Sequence, residues 1–249
     1  MSTAAPLLIV IGGSRGIGAA VVRRAVRDGY RAVVGYRSSR QAADALVDEL
    51  VAEGGEVLAL PVDVGDGDSI EEFLATVTNV CGAPTAMVYA AGTVGMTALL
   101  VDTPLAEVAR VLDTNLLGAF AAVQGASKRM VRSRGGAGGN IVVISSEAAK
   151  FGGTRLSPYA ASKAGLYALV LGVAKELAPE GVRLNGVSPG VIDTDQQAGI
   201  SDERRQSLLE SIPLGRMGNP DEVASAVLWL LSAESYYVVG SMLTIAGGR

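Results

Sequence analysis

Histidine does not occur among these 249 residues, and cysteine occurs once, at Cys81. Without histidine the usual acid/base of neutral pH is missing, and every histidine-based triad goes with it. The two shortages together exclude a His/Cys zinc site, so no metal site is expected. One thiol permits no internal disulfide, which fits a reducing compartment, and Cys81 reads as a small packing residue. No apolar run approaches the length of a membrane span. The stretch Leu7 to Ile11 lacks the charged leader and cleavage site of a signal peptide, so a cytoplasmic protein without membrane contact is expected. Positive charge is not in excess: 21 Lys and Arg stand against 25 Asp and Glu, a net charge of -4. That balance argues against a nucleic-acid partner, and Arg23, Arg24 and Arg27 read as the solvated face of one helix.

What is present is material for a core, with 49% apolar and 18% charged residues. Short apolar or β-branched runs recur at Leu7 to Ile11, Ala32 to Tyr36, Val57 to Leu60, Ala86 to Ala90, Ile141 to Ile144, Arg183 to Val187 and Met242 to Ile245. Between them lie stretches with apolar residues at helical spacing: Gly16 to Asp28, Arg40 to Glu53, Ser69 to Val80, Leu105 to Arg132, Pro158 to Ala178 and Asp221 to Leu231. Apolar strands alternating with helices predict an α/β fold: one doubly wound, Rossmann-type domain over residues 1–249, with a seven-stranded parallel sheet flanked by helices. The segment Arg132 to Asn140, with four glycines, reads as a flexible connection. Residues 193–219 follow a strand at the carboxyl edge, where ligands bind in such folds, and read as a substrate lid with a short helix over Asp202 to Ser211.

Gly12-Gly13-Ser14-Arg15-Gly16-Ile17-Gly18 falls where the first strand turns into the first helix, a place where backbone amides and the helix dipole can receive a pyrophosphate. The G-x-x-x-G-x-G spacing is weak evidence alone; its position between strand and helix raises its weight. Such sites distinguish their cofactors at the end of the second strand, where a carboxylate suits a free ribose hydroxyl and a cation suits a 2′-phosphate. This chain reads Gly35-Tyr36-Arg37-Ser38-Ser39 there, with no carboxylate. Arg37 can pair with phosphate, Ser38 can donate to it and Arg15 can close from the other side, so NADP(H) is expected over NAD(H).

Tyr159 and Lys163 stand four apart on a predicted helix and share one face. Bringing a phenol to neutrality requires roughly 4 kcal/mol of preferential stabilisation of the phenolate. A lysine about 5 Å away contributes roughly 3 kcal/mol at an effective dielectric of about 20, against a desolvation cost that calls for further positive charge. An oxidised nicotinamide is one such charge. An isolated Tyr-x-x-x-Lys means little; beside a cofactor site it is a candidate acid/base.

These motifs resemble the short-chain dehydrogenase/reductase family along essentially the whole chain. The glycine loop is followed in order by Asp63-Val64, Ala91-Gly92, Asn115, Ser146, Tyr159 and Lys163, then Pro189-Gly190-Val191-Ile192-Asp193-Thr194. The resemblance implies that Tyr159 donates the proton in carbonyl reduction and accepts it in alcohol oxidation. It implies that Ser146, thirteen residues earlier, hydrogen-bonds the substrate oxygen, and that Lys163 lowers the Tyr159 pKa and holds the nicotinamide ribose. Asn115 would anchor a water linking Lys163 to solvent. Asp63 and Val64 would contact adenine, and Ile192 and Thr194 the carboxamide and phosphates; Ala91, Gly92, Pro189 and Gly190 complete the cofactor contour.

The chain departs from the family pattern in several places. Ile11 replaces a threonine, Tyr89-Ala90-Ala91-Gly92 replaces Asn-Asn-Ala-Gly, and Ala246 replaces the aspartate of Asp-Gly-Gly. The first two changes are expected to exchange hydrogen bonds for apolar packing. Glu147 reads either as a solvated carboxylate at the end of a strand or as a group lining the substrate entrance. The look is nearest to 3-oxoacyl-carrier-protein reductase-like and glucose dehydrogenase-like members, so the expected partner is a small carbonyl or alcohol. A 3-oxoacyl-thioester reductase is the alternative, with Arg129, Arg132 and Arg155 as candidates to meet a carrier. A catalytically silent NADP-binding regulator or scaffold is the rival from another class. Family members are often tetramers, so a homo-oligomer is expected.

Overall fold

The computed structural model describes residues 5–195 and 201–249. Seven strands, β1 (Leu7–Ile11), β2 (Arg31–Tyr36), β3 (Val57–Pro61), β4 (Ala86–Tyr89), β5 (Gly139–Ile144), β6 (Val182–Pro189) and β7 (Met242–Ile245), form one sheet in the order β3-β2-β1-β4-β5-β6-β7. Every pairing is parallel. The order reverses direction between β1 and β4, and that switch point opens a crevice beyond the carboxyl ends of the strands.

The strands are apolar on both faces because both faces are covered. Successive residues of β1 alternate between two cores. Leu7, Ile9 and Ile11 pack with Phe73 and Leu74 of α3 (Gly67–Cys81), Ala122 of α5 (Gly118–Met130) and Leu166 of α7 (Ser157–Leu177). Leu8 and Val10 pack with Val21 and Val22 of α1 (Gly16–Arg27), Leu46 of α2 (Arg40–Ala52) and Val227 of α9 (Pro220–Leu231). Each fully buried aliphatic side chain contributes roughly 1.5–3 kcal/mol, so the two layers hold the sheet rigid beneath the crevice. Helix starts are written locally: Asp66 accepts from the Asp68 amide before α3, and Asn219 with Glu222 forms a capping box before α9, with Pro220 in its first turn.

Two expectations are corrected, and one short helix is added to the expected elements. The single helix over Leu105 to Arg132 is instead α4 (Leu105–Leu112), a π-turn at Asp113–Leu117, and α5. A π-turn adds one residue without breaking the apolar periodicity, so the pattern conceals it. The connection before β5 is not loose. Gly136 donates to Val131 at 3.0 Å, Gly138 to Met130 at 2.8 Å and Gly139 to Gly181 at 3.1 Å, so the glycines serve a tight turn. A one-turn helix, α6 (Ala148–Phe151), follows Ser146; four residues are too few for a period to show. In the expected lid, α8 (Asp202–Glu210) matches the short helix, while residues 196–200 lie outside the described residues. No helix among the described residues is long and apolar enough to cross a membrane.

Candidate active site

The loop between β1 and α1 is shaped by glycines at two close approaches. Gly12 has φ 83°, and a Cβ there would lie 2.5 Å from the Ala91 amide nitrogen; one at Gly18 would lie 2.1 Å from the Gly12 carbonyl. The amides of Gly12 and Gly13 both donate to the Gly35 carbonyl, at 2.8 and 3.1 Å, which pins the loop to the end of β2. Helix α1 then begins at Arg15 with no side-chain cap and no acid in its first turn. Free amides at the positive end of a helix, with no carboxylate to satisfy them, fit an anionic pyrophosphate. Ile17 packs into the core below, and Ser14 in the loop is half-buried. Thr194 lies across the loop, its Cγ2 3.5 Å from where a Cβ on Gly16 would be. Arg15 reaches Asp195 at 3.8 Å, with both side chains mostly exposed.

Arg37 and Ser38 are exposed at the end of β2. Arg37 lines a cavity of about 580 Å³ with Asp63, Ser69 and Glu72. The Asp63 carboxylate accepts from the Gly65 amide at 3.0 Å, and its own amide donates to Ser69 at 3.0 Å, which fixes the turn after β3; Val64 beside it is buried. At the far end, Pro189 closes β6 and Gly190 donates to Ile245 at 2.9 Å. Ile192 is buried in a bridge to Gly218. The bridge uses the Asp193 amide and the Val191 carbonyl, which turns the peptide groups of Ile192 itself to the other side.

Between these two halves the structure brings Asn115, Ser146, Tyr159 and Lys163 together. Ser146 leaves the end of β5 beside the Tyr159 phenol on α7, close enough to favour its ionisation, and its oxygen accepts from the Ala148 amide at 3.2 Å. Lys163, one turn further along α7, is 4% exposed, and its Nζ donates to the Ile144 carbonyl at 2.8 Å. Burial lowers the Lys163 pKa to about 8. The ammonium is 5.8 Å from the centroid of the Tyr159 ring. Burial pushes the phenol above its ordinary value and the Ser146 hydrogen bond pulls it back. In this arrangement the ammonium rests on a backbone carbonyl one helical turn from the phenol.

Asn115 is fully buried in the π-turn. Its Oδ1 accepts from the Thr93 amide at 2.8 Å, and its Nδ2 donates to the Thr93 carbonyl and the Ser162 hydroxyl, both at 2.9 Å. Ser162 in turn donates to the Tyr159 carbonyl at 2.6 Å. Gly92 faces both groups: a Cβ there would sit 3.3 Å from Lys163 Nζ and 3.4 Å from Asn115 Oδ1. Ser145, Ser162 and Thr93 were missed as framework residues. Ser145 ties β5 to α7 by donating to the Lys163 carbonyl at 2.9 Å, and the alternation of a strand, which sends adjacent serines to opposite sides, was the available signal.

Two departures read differently once placed. Tyr89 does not simply exchange a hydrogen bond for apolar packing: it is fully buried, and its hydroxyl donates to the Thr114 carbonyl at 2.5 Å. Glu147 is not a solvated carboxylate. It is 5% exposed, neither carboxylate oxygen has a partner among the described residues, and burial raises its pKa despite Arg249 and Lys150. A Cβ on Gly190 would lie 2.9 Å from both Glu147 Oε2 and the Ala246 side chain, so an aspartate at 246 would crowd a second carboxylate into the same dry space. A raised carboxyl favours the folded state below the ordinary carboxylate range, and that contribution is lost as pH rises through the folded-state value. Glu147→Met should therefore raise the melting temperature by a few degrees at pH 8, and the gain should disappear at pH 4. Thermal melts at the two pH values check this, and an equal gain at both would show that the carboxyl's ionisation is not the cause.

Residues 11–249 match the family model described as Enoyl-(Acyl carrier protein) reductase. The chain is 38% identical over 246 residues to L-rhamnose 1-dehydrogenase (NAD(P)(+)) of Azotobacter vinelandii, covering 97% of this chain and 95% of that protein. It is 34% identical to the 3-oxoacyl-(acyl-carrier-protein) reductase FabG of Staphylococcus aureus, covering 96% of each. Among solved structures it superposes on a dehydrogenase/reductase from Sinorhizobium meliloti 1021 with a TM-score of 0.92 at 33% identity, covering 99% of this chain and 96% of the other.

Proposed function

The chain belongs to the short-chain dehydrogenase/reductase family, oxidoreductases of CH–OH and C=O groups, and from that premise we propose an NADP(H)-dependent enzyme for a small carbonyl compound or its alcohol. The observation that carries this reading is the Tyr159 phenol with Ser146 beside it, the buried Lys163 ammonium 5.8 Å from its ring centre and no histidine anywhere in the chain. When bound, the nicotinamide supplies or takes the hydride and, oxidised, adds a positive charge. Ser146 and Tyr159 converge as two donors on one substrate oxygen. Ser146 holds charge developing there, and Tyr159 delivers the proton in reduction or takes it in oxidation. Lys163 is protonated at pH 7 with its pKa near 8, so its charge is available to the phenolate. Asn115, through Thr93 and Ser162, keeps the turn beside Lys163 in place for proton resupply.

Cofactor choice rests on the exposed Arg37 and Ser38, the lack of a carboxylate at the end of β2, and Arg15 across the glycine loop. The same reading takes residues 1–249 as one domain, 193–219 as the segment that closes over substrate, and several copies of the chain as the working assembly. The thioester-reductase alternative is less well supported by the surface. Arg129, in the last turn of α5, is 15% exposed and bound to Glu71 at 2.7 Å, and Arg132 lies just beyond the end of that helix, before β5 begins at the edge of the sheet opposite the crevice. Arg155 is exposed and precedes Tyr159 by four residues. A silent scaffold would have no use for a buried lysine and a fully bonded asparagine beside the Ser146 and Tyr159 hydroxyls.

A panel of small carbonyls and alcohols, offered with NADPH, NADH and their oxidised forms to the wild type and to Arg37→Asp, tests the proposal. Turnover with NADPH and at least one small carbonyl is expected. Arg37→Asp should weaken NADPH by about 10- to 100-fold, the worth of a charge-assisted hydrogen bond, and leave NADH nearly unchanged. No turnover across the panel would sink the activity; equal losses for both cofactors would mean that Arg37 does not read the phosphate.

A further inference from the structure

Tyr89 heads the largest fully buried side chains among the described residues, and its hydroxyl ends on a backbone carbonyl, that of Thr114, 2.5 Å away. Desolvation pushes its phenol far above the ordinary value, so the hydroxyl keeps its proton and acts as a fixed donor. The carbonyl it meets is set apart by the turn that carries it. In an α-helix the Gly118 amide would take the Thr114 carbonyl, four residues back. Here it takes Asp113, five back, as a π-turn requires. Tyr89 thus gives a donor to the carbonyl that the Gly118 amide passes over. Gly118 leaves room for this: a Cβ there would stand 2.7 Å from the Tyr89 oxygen and 2.4 Å from the Val64 carbonyl.

We propose that Tyr89 is a positioning residue whose hydroxyl holds the π register of residues 113–117 and so fixes Asn115 against Thr93 and Ser162, beside Lys163. The proposal rests on the reading of Asn115 and Lys163 as a proton relay. Asn115 immediately follows Thr114, and all three of its side-chain hydrogen bonds depend on where the turn places it. Without the Tyr89 hydroxyl, the Thr114 carbonyl is buried with no side-chain donor, and the remedy open to the helix is to return to the α register. That slip rotates the residues of the turn by about 100° around the helix axis and takes the Asn115 amide away from its partners. Tyr89 also stands two positions before the cofactor contour that begins at Ala91, so the end of β4 carries the prop for the relay and leads directly into the cofactor wall.

The test compares Tyr89→Phe with Asn115→Ala in the full chain, by amide hydrogen exchange, NADPH fluorescence titration and the pH dependence of kcat on the best carbonyl of the panel. Tyr89→Phe should speed exchange at the amides of 113–118 by about tenfold or more while the sheet stays protected. NADPH affinity should stay within about twofold, while kcat falls by roughly 10- to 100-fold, its alkaline limb moves by about half a pH unit or more, and the substrate KM changes little. If Asn115→Ala lowers kcat while Tyr89→Phe leaves exchange, kcat and the limb as in the wild type, the proposal is overturned. Faster exchange spread through the whole sheet would mark a merely structural residue and also overturn it. If Asn115→Ala leaves turnover intact, the relay reading fails instead, and the local exchange alone decides whether Tyr89 holds the register.

Discussion

Turnover of a Tyr159→Phe variant should fall by about 10²- to 10⁴-fold, while its NADPH dissociation constant stays within about twofold of the wild type. The change removes one oxygen, the one that faces Ser146, and leaves the aromatic ring to pack as before on α7. Lys163 keeps its bond to the Ile144 carbonyl and Ser162 keeps its bond to the backbone of residue 159, so the frame around the missing hydroxyl has no reason to move. Ser146 alone still polarises a substrate oxygen, which sets the residual rate. Stopped-flow measurement of NADPH oxidation, paired with a fluorescence titration of the cofactor, separates the two effects. Full activity would remove Tyr159 from the mechanism. A parallel loss of cofactor affinity would mean that the hydroxyl holds the ribose before it moves a proton.

The second large effect lies in the loop. Gly18→Ala should cost about 100-fold or more in NADPH affinity, equivalent to roughly 3 kcal/mol, and lower the melting temperature by several degrees. The added Cβ would sit 2.1 Å from the Gly12 carbonyl oxygen and 3.0 Å from the Gly13 Cα. Both obstacles are main chain, so no rotamer change relieves them. The loop would have to leave the Gly35 carbonyl or push α1 outward, and either shift misaligns the amides that meet the pyrophosphate. Gly67→Ala, at an exposed position with nothing within 4 Å of the new methyl, should leave affinity and melting temperature unchanged. Isothermal titration and thermal melts of the two variants check the contrast; equal behaviour would mean that the loop is soft enough to absorb the methyl.

Much of this is legible in the sequence. The seven strands could be read because a parallel sheet covered on both sides leaves nearly unbroken apolar runs, and the glycine loop because strand, loop and helix follow each other within a dozen residues. Tyr159 and Lys163 stand out because helical spacing is regular and no histidine competes for the role. The π-turn was hidden, since one extra residue leaves the apolar pattern of 105–130 intact. Ser162 and Thr93 were hidden because hydroxyl residues are common and their use depends on a partner far away in sequence. The solvated reading of Glu147 fails for a related reason: a carboxylate after a strand is usually wet, and only the convergence of Gly190 and Ala246, which follow two other strands, makes this one dry.

The ties that hold the candidate residues end mostly on main-chain oxygens. Lys163 rests on Ile144, Ser145 on Lys163, Ser162 on Tyr159, and the Asn115 amide in part on Thr93. A backbone oxygen is present whatever side chain its residue carries. Substitutions in the walls around the crevice therefore leave these anchors in place, and the reacting centre can be inherited unchanged while its surroundings diverge. Evolution can reshape what the pocket admits without rebuilding what the pocket does, which makes this frame a tolerant starting point for laboratory selection of new substrates.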